Sequence, residues 1–597
     1  MPSIITHETQ ITQPLREGRI DHRGRRNDRS ATEDDEYRAE NTAVGPTAGG
    51  WIRMSNSDDQ GAIAEFREEI EPTIFGAGAA VTLVFVAAFV LNPADSYDFV
   101  EGIQFWILEY FNWYFLIVML AFVLFLAFLI FGPWGKLRLG DEDPEYSYLS
   151  YFAMMYSAGL AAGIVFWGPA EALTHYGSVP PLYDVPDKSA AAMPVAVQYA
   201  IFHWSLTQWS CFTVMGLAIG YFVYNYDAPL RVSAVLTPIL GADNVDGPIG
   251  KAVDILAVFA TLGGVATSLG FVGSQFITGL SFQWGIELGD VGTILVITGM
   301  TVVFTTSLVL GVNKGIRWLS NFNMVLFFLV MVATLIFGPT FRILELGSQA
   351  FGRFVTDFFR MSLFTEAAQP PTYDKWVNQW TVFYWLWPLA WSPFAGLFIA
   401  RISRGRSVRE VAFAGIGATS MATVPWFIIV GGTAVTMQNT GVAQILGPIG
   451  QYDASVAGFV LFNAVPVIGP LLLAAFLILV TTFFVTSADS STLAVSMITT
   501  GGKEHPSSIN RIFWAVLQGT VASILMVVGG VDALQSASII TGAPFAVVCL
   551  LAMLGLVKTF QEESGGILLQ DRTKLIGAPT VREESTDGAK VAGQDDD

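Results

Sequence analysis

The stretch WTVFYWLWPLAWSPF, residues 380–394, carries four tryptophans and two prolines in fifteen positions. Aromatic rings bury large surfaces, whereas proline removes a helical hydrogen bond. On a helix, Trp380, Tyr384, Trp387 and Trp391 recur at i, i+4, i+7 and i+11 and form one stripe. Pro388 cannot donate to the carbonyl of Tyr384, nor Pro393 to that of Leu389. Those two carbonyls need another donor or a cation, so the segment is expected to break.

The surroundings of this stretch are those of a membrane protein. Of 597 residues, 53% are hydrophobic and 14% charged, against about a quarter charged in a soluble chain. Apolar runs long enough to cross a bilayer occur at roughly 72–92, 104–132, 148–170, 195–224, 252–280, 292–312, 320–339, 376–400, 409–436, 467–498, 510–529 and 534–558. The expected fold is therefore an all-α membrane protein of twelve transmembrane helices. Residues 1–71 and 559–597 are polar and read as disordered tails. The opening residues lack the apolar run of a signal peptide. The formal charge of −19 sits mainly in tails and loops.

Basic residues fix an expected orientation. Lys136 and Arg138 follow the second span, Arg231 and Lys251 the fourth, and Lys314 and Arg317 the sixth. Arg401, Arg404, Arg406 and Arg409 follow the eighth, and Lys503 and Arg511 the tenth. The intervening loops after spans five, nine and eleven are nearly free of Lys and Arg, which places both termini in the cytoplasm. Cys211 and Cys549 lie in apolar runs and form no CxxC pair. There is no HExxH, GxSxG or GxxxxGK[ST] motif, so metallohydrolase, serine-hydrolase and ATP-driven chemistry find no support.

Secondary transporters bind substrate where helices are interrupted in matching places of two halves. The third span, MMYSAGLAAGIVFWG, has a nearly bare backbone from Gly159 to Gly163. That pattern also fits a small-residue packing face. If two prefix helices precede the core, this span and the tryptophan segment open two sets of five, as in a 5+5 inverted repeat with halves at about 148–339 and 376–558. The tenth span, TTFFVTSADSSTLAV, offers Thr486 and Ser487 as hard oxygen ligands suited to Na+. Its Asp489 is an intramembrane carboxylate; a structural role for it near the cytoplasmic side stays open.

The fourth span repeats the aromatic theme in FHWSLTQWSCF, with Trp204, Trp209 and Phe212. Tryptophan faces at mid-span can hold a quaternary ammonium by cation–π attraction; ordinary packing between helices is the alternative.

These residues carry a resemblance. WTVFYWLWPLAWSPFAGLFIARISRGRSVRE, GVNKGIRWLSNFNM, FHWSLTQW and FFVTSADSSTL together resemble the betaine/carnitine/choline transporter family. The resemblance implies two prefix helices and a 5+5 inverted repeat, a homotrimer in the cell membrane, and no enzymatic activity. It implies import of glycine betaine or a related quaternary-ammonium osmolyte for osmoprotection, with Na+ as coupling ion, no other cofactor and no nucleic-acid partner. Choline, carnitine or another compatible solute, a substrate exchanger, and a non-transporting sensor are the alternatives. By resemblance, Trp204, Trp209, Phe212, Trp387 and Trp391 line the substrate cage, with Trp385 beside it and Gly159 to Gly163 at the substrate's carboxylate end. One sodium site uses carbonyls near Ser157 and Leu160, the carbonyl of Phe483, and the hydroxyls of Thr486 and Ser487. A second uses Thr261 and the ring of Phe394.

The chain departs from the family pattern at four places. Betaine carriers have two adjacent tryptophans where this chain reads Trp387-Pro388, and a tyrosine where Phe212 stands. The glycine-rich floor is reduced to GLAAG, and Val265 replaces a second threonine near Thr261. No Arg or Lys replaces either ion, as in sodium-independent exchangers.

Overall fold

The computed structural model describes residues 56–564 apart from Leu160, Gly311 and Tyr373. Residues 1–55 and 565–597, most of the two polar tails, lie outside the described residues. Within the stretch read as an N-terminal tail, Asn56–Glu69 is helical, and the last helix runs to Ser564.

Among the described residues the regular elements are all helices, with one isolated bridge between Arg138 and Ser407. Ten helices are long and apolar enough to cross a membrane, or eleven if Tyr148–Ala158 and Gly163–Gly177 form one span bent by 70°. The two spans expected after residue 508 form a single helical run, Ser508–Ser564, interrupted at Gly530 with φ 60° and ψ −141°. Only glycine enters that backbone region readily.

The helices separate into a lipid-facing set and an enclosed set. In Asp290–Val309 22% of the most apolar stretch is buried, and in Asn378–Ile402 all of it. The tryptophan helix is thus surrounded by protein, and side chains such as Val84, Leu91, Leu295 and Leu329 face outward, as an apolar solvent requires.

Three local features differ from the expectation. First, the tryptophan segment is continuous. A π-helical turn at Asn378–Val382 leads into an α-helix, Phe383–Ile402, that passes through both prolines. The freed carbonyls are satisfied from the side: Gln208 Nε2 donates to the Tyr384 oxygen at 3.4 Å, and Ser392 Oγ to the Leu389 oxygen at 2.8 Å. Second, the loop expected after the seventh span contains a helix, Thr340–Ser362. It lays Ile343, Leu346, Ala350, Phe354 and Phe358 on the protein, at helical spacing. Third, only the first break is a true interruption. Tyr148–Ala158 ends at Gly159, and the chain restarts as Ala161–Trp167.

The basic loop after the tryptophan helix has a defined partner. Leu139 N donates to Arg406 O at 2.9 Å, Gly405 N to Leu139 O at 2.7 Å, and Val408 N to Leu137 O at 2.7 Å. Arg409 caps the helix Pro93–Phe131 through Ile130 O and Gly132 O at 2.6 and 2.9 Å. Arg406 stacks over the Tyr151 ring at 4.0 Å. The ISRGR motif therefore docks the second half of the chain onto the second span.

Candidate substrate and ion site

The bent third span, the fourth span and the tryptophan helix bring most of the expected cage together. The Trp204 and Trp387 rings meet edge to face at 6.0 Å, and Trp387 meets Trp391 the same way at 6.4 Å. Phe383 stacks on Trp387 at 5.7 Å and Phe427 on Trp204 at 5.8 Å. Both walls lean on Gly163, where an added Cβ would stand 3.0 Å from Trp204 and 3.2 Å from Trp387. Trp209 forms a second group. It stacks on Tyr156 at 5.4 Å, meets Phe212 at 6.0 Å, and lies where a Cβ on Gly159 would be 2.5 Å away. The bare backbone of the third span is thus required by tryptophan rings.

Trp385 does not face this cage. It packs on Phe202 at 5.4 Å and His203 at 6.0 Å. Two residues along a helix turn the side chain through about 200°, so Trp385 points away from the wall that Trp387 forms.

The indole nitrogens divide into two classes. Trp204 Nε1 donates to the carboxylate of Glu171. The indole N–H groups of Trp209, Trp387 and Trp391 are buried without any protein partner. A buried donor left unpaired costs about 1–3 kcal/mol, so each of the three is available to a ligand that reaches it.

Below the break, oxygen atoms converge. Ser487 Oγ lies 3.2 Å from the carbonyls of both Ser157 and Gly159. Thr486 Oγ1 lies 2.8 Å from Phe483 O and 3.4 Å from Ser157 O. Three carbonyls and two hydroxyls, all protein-enclosed, make a hard donor set of the kind that unwound helices offer to Na+. Leu160, named for the same set, lies outside the described residues. Thr261 Oγ1 is buried and has no hydrogen-bond partner, while the Phe394 ring packs on Trp391 at 5.1 Å. Asp489 accepts from Ser307 Oγ at 2.7 Å through one oxygen, and its other oxygen has no partner.

Sequence reasoning missed the group behind Trp204. Glu171, His175 and His203 are all fully buried. Glu171 Oε1 lies 2.7 Å from His203 Nδ1 and 3.3 Å from His175 Nε2. The signal available was the i, i+4 pair in EALTH, an acid and a histidine on one face of a helix.

Comparisons with known proteins identify the family. The model of the betaine/carnitine/choline family transporters matches residues 73–565. The glycine betaine transporter OpuD of Bacillus subtilis (strain 168) is 37% identical over 521 residues, 85% of this chain and 98% of its own length. A probable glycine betaine transporter of Desulfitobacterium hafniense is 34% identical over 82% of this chain and 98% of its own. An ectoine/hydroxyectoine transporter of Virgibacillus pantothenticus is 37% identical over 74% and 87%. Among solved structures, a manganese transporter of Eremococcus coleocola gives a TM-score of 0.40 at 12% identity over 74% of this chain and 93% of that one; no argument rests on so slight a likeness. A transporter rather than an enzyme is what the match across nearly the whole apolar region describes, and the chain belongs to the betaine/carnitine/choline transporter family.

Proposed function

We propose that the protein is a secondary importer of glycine betaine, or a related quaternary-ammonium osmolyte, coupled to Na+ by alternating access and serving osmoprotection. The observation that carries this reading is the cage itself. Ring faces of Trp204, Trp387 and Trp391 attract a trimethylammonium head by cation–π interaction. The unpartnered indole N–H groups of Trp209, Trp387 and Trp391 suit a carboxylate tail. A molecule with both charges answers both features. The oxygen cluster of Ser157, Gly159, Phe483, Thr486 and Ser487 adjoins the same break, so an ion there orders the backbone that floors the cage. Thr261 and Phe394 are kept as a second sodium position on the strength of the unpartnered Thr261 hydroxyl.

Counting the bent pair as one span and the run broken at Gly530 as two gives twelve crossings. Two prefix helices and a 5+5 repeat accommodate that number. Even crossings and the basic loops put both termini in the cytoplasm of a cell membrane. We extend the proposal to a homotrimer on family resemblance.

A second reading, an ectoine-type substrate, is favoured by the relative from Virgibacillus pantothenticus and by Pro388, which removes one tryptophan wall. The deciding experiment is uptake of labelled betaine, choline, carnitine and ectoine into proteoliposomes with and without an inward Na+ gradient. Uptake indifferent to Na+ overturns the coupling; no uptake of any trimethylammonium compound overturns the substrate class.

A further inference from the structure

Behind the cage, three ligand-bearing side chains converge without a role in holding betaine. The metal-capable atoms of Glu171, His175 and His203 all lie within 4.8 Å of one another. We propose that these three residues bind a divalent transition-metal ion of the Zn2+ class, reached from the outer vestibule, and that its binding clamps the Trp204 wall and inhibits transport.

The geometry suits such an ion. Bonds of about 2.0–2.2 Å in a tetrahedral site set ligand atoms roughly 3.4 Å apart. The separations from Glu171 Oε1 are 2.7 Å to His203 Nδ1 and 3.3 Å to His175 Nε2, and the three ligand atoms all lie within 4.8 Å of one another, so side-chain shifts of about 1 Å admit the metal. Three protein ligands leave a fourth position for water, as in zinc sites with exchangeable ligands.

The surroundings are organised for it. His203 Nε2 lies 3.0 Å from Thr381 Oγ1. When the imidazole donates there, Nδ1 keeps its lone pair facing Glu171, the orientation a ligating histidine needs. His175 Nδ1 has no protein partner. The other oxygen of Glu171 is held by Trp204 Nε1–H, which connects the site to the cage.

The charge balance points the same way. The ion pairs of Glu171 among the described residues are with the two histidines alone. A buried carboxylate is costly unless a positive group accompanies it. The titratable groups facing the cluster from neighbouring helices are Tyr199 and Tyr384, neither of which supplies positive charge. Arg353, on the helix Thr340–Ser362, is engaged elsewhere: its Nε donates to Gln198 Oε1 at 3.1 Å. A proton between Glu171 and His203 Nδ1, or a metal cation in its place, completes the site.

An approach exists. A cavity of about 460 Å³ is lined by Glu101, Asp532, Trp380 and Tyr384. The His175 ring lies edge-on to Trp380 at 4.6 Å, so a single indole separates the cluster from that cavity. Two carboxylates at its wall concentrate cations.

The test uses the purified full-length protein and ZnCl2. Calorimetry at about pH 7.5 should show one saturable Zn2+ per chain. His175→Phe and His175→Gln should each weaken binding about 10–100-fold, and should free betaine uptake from Zn2+ inhibition while leaving zinc-free uptake intact. His203→Gln should weaken binding comparably. His505→Ala removes a histidine distant from the cluster and should leave binding unchanged. Two His175 variants guard against a folding defect, and monodispersity is checked for both. No saturable binding below about 100 µM, or binding indifferent to both His175 and His203, overturns the proposal. Binding is read without transport, so its failure is distinct from failure of the transport assignment.

Discussion

Gln208 Nε2 lies 3.4 Å from the carbonyl oxygen of Tyr384, the acceptor that Pro388 leaves without its helical partner. The bond joins the fourth span to the tryptophan helix at the level of the cage. Gln208→Leu strands that carbonyl in a buried setting and should cost about 1–3 kcal/mol. A lowered thermal midpoint of the purified protein is the expected readout. An unchanged midpoint would mean the carbonyl is satisfied in some other way.

The two halves of a zwitterion are separable at Trp387. Trp387→Phe keeps a ring face and removes the unpartnered N–H. A hydrogen bond to a charged group is worth about 1.5–3 kcal/mol, so betaine affinity should fall about 10–100-fold, while choline, which lacks the carboxylate, changes little. Trp387→Ala should weaken both ligands by a further ~0.5–2 kcal/mol. Equal losses for betaine and choline in the Phe variant contradict the carboxylate assignment.

Na+ should act through the hydroxyl pair. In Thr486→Ala/Ser487→Ala the stimulation of betaine binding by NaCl should vanish, a loss of about 5–150-fold in coupling. Binding without Na+ should persist. Tryptophan fluorescence titrations in NaCl and choline-free KCl measure both. Retained Na+ stimulation would place the ion elsewhere.

The floor glycines should differ in severity. A Cβ on Gly159 stands 2.5 Å from Trp209, against 3.0 Å from Trp204 for one on Gly163. Gly159→Ala overpacks the site by about 1–3 kcal/mol and should abolish uptake, whereas Gly163→Ala should retain part of it. Wild-type uptake by Gly159→Ala would show that the third span relaxes freely.

Glu71 gives a pH-dependent test outside the spans. Burial pushes its carboxyl up, but the Lys251 ammonium at 2.7 Å and the Ile74 N–H at 2.6 Å outweigh this and hold it below the usual range. A lowered folded-state pKa stabilises above the unfolded value, and that contribution is lost as pH falls through the folded one. The pair is partly exposed, so it is worth at most about 1 kcal/mol. Glu71→Gln should therefore lower the thermal midpoint slightly near neutral pH, with the gap to wild type closing on acidification. A constant gap across pH would assign the effect to packing.

What the sequence makes legible is whatever lies on one helix or follows from spacing. The stripe of Trp387 and Trp391 follows from helical spacing, and the small residues at 159 and 163 and the adjacent hydroxyls of Thr486 and Ser487 are marked by residue type alone. What escapes is the pairing of distant segments. Gln208 completing the Tyr384 carbonyl, and Glu171 meeting His203 across 32 residues, have no local mark. Trp385 is a different failure, since helical spacing alone sets it opposite Trp387. The helix Thr340–Ser362 reads as a loop because Arg342, Glu345, Arg353 and Asp357 break the continuous apolar run that marks a span, although its apolar residues keep to one face.

The main-chain bonds between Leu137–Leu139 and Gly405–Val408 fix one end of the tryptophan helix and leave the other to the cavity lined by Glu101, Asp532 and Trp380. The helix is then a lever with its fulcrum at the Gly405–Val408 end. From Ile402 to Trp380 its arm is about 33 Å, so a tilt of only ~5° carries Trp380 through about 3 Å while Arg406 stays in place. Distances between spin labels at the two ends, measured with and without substrate, should change at the outer end alone.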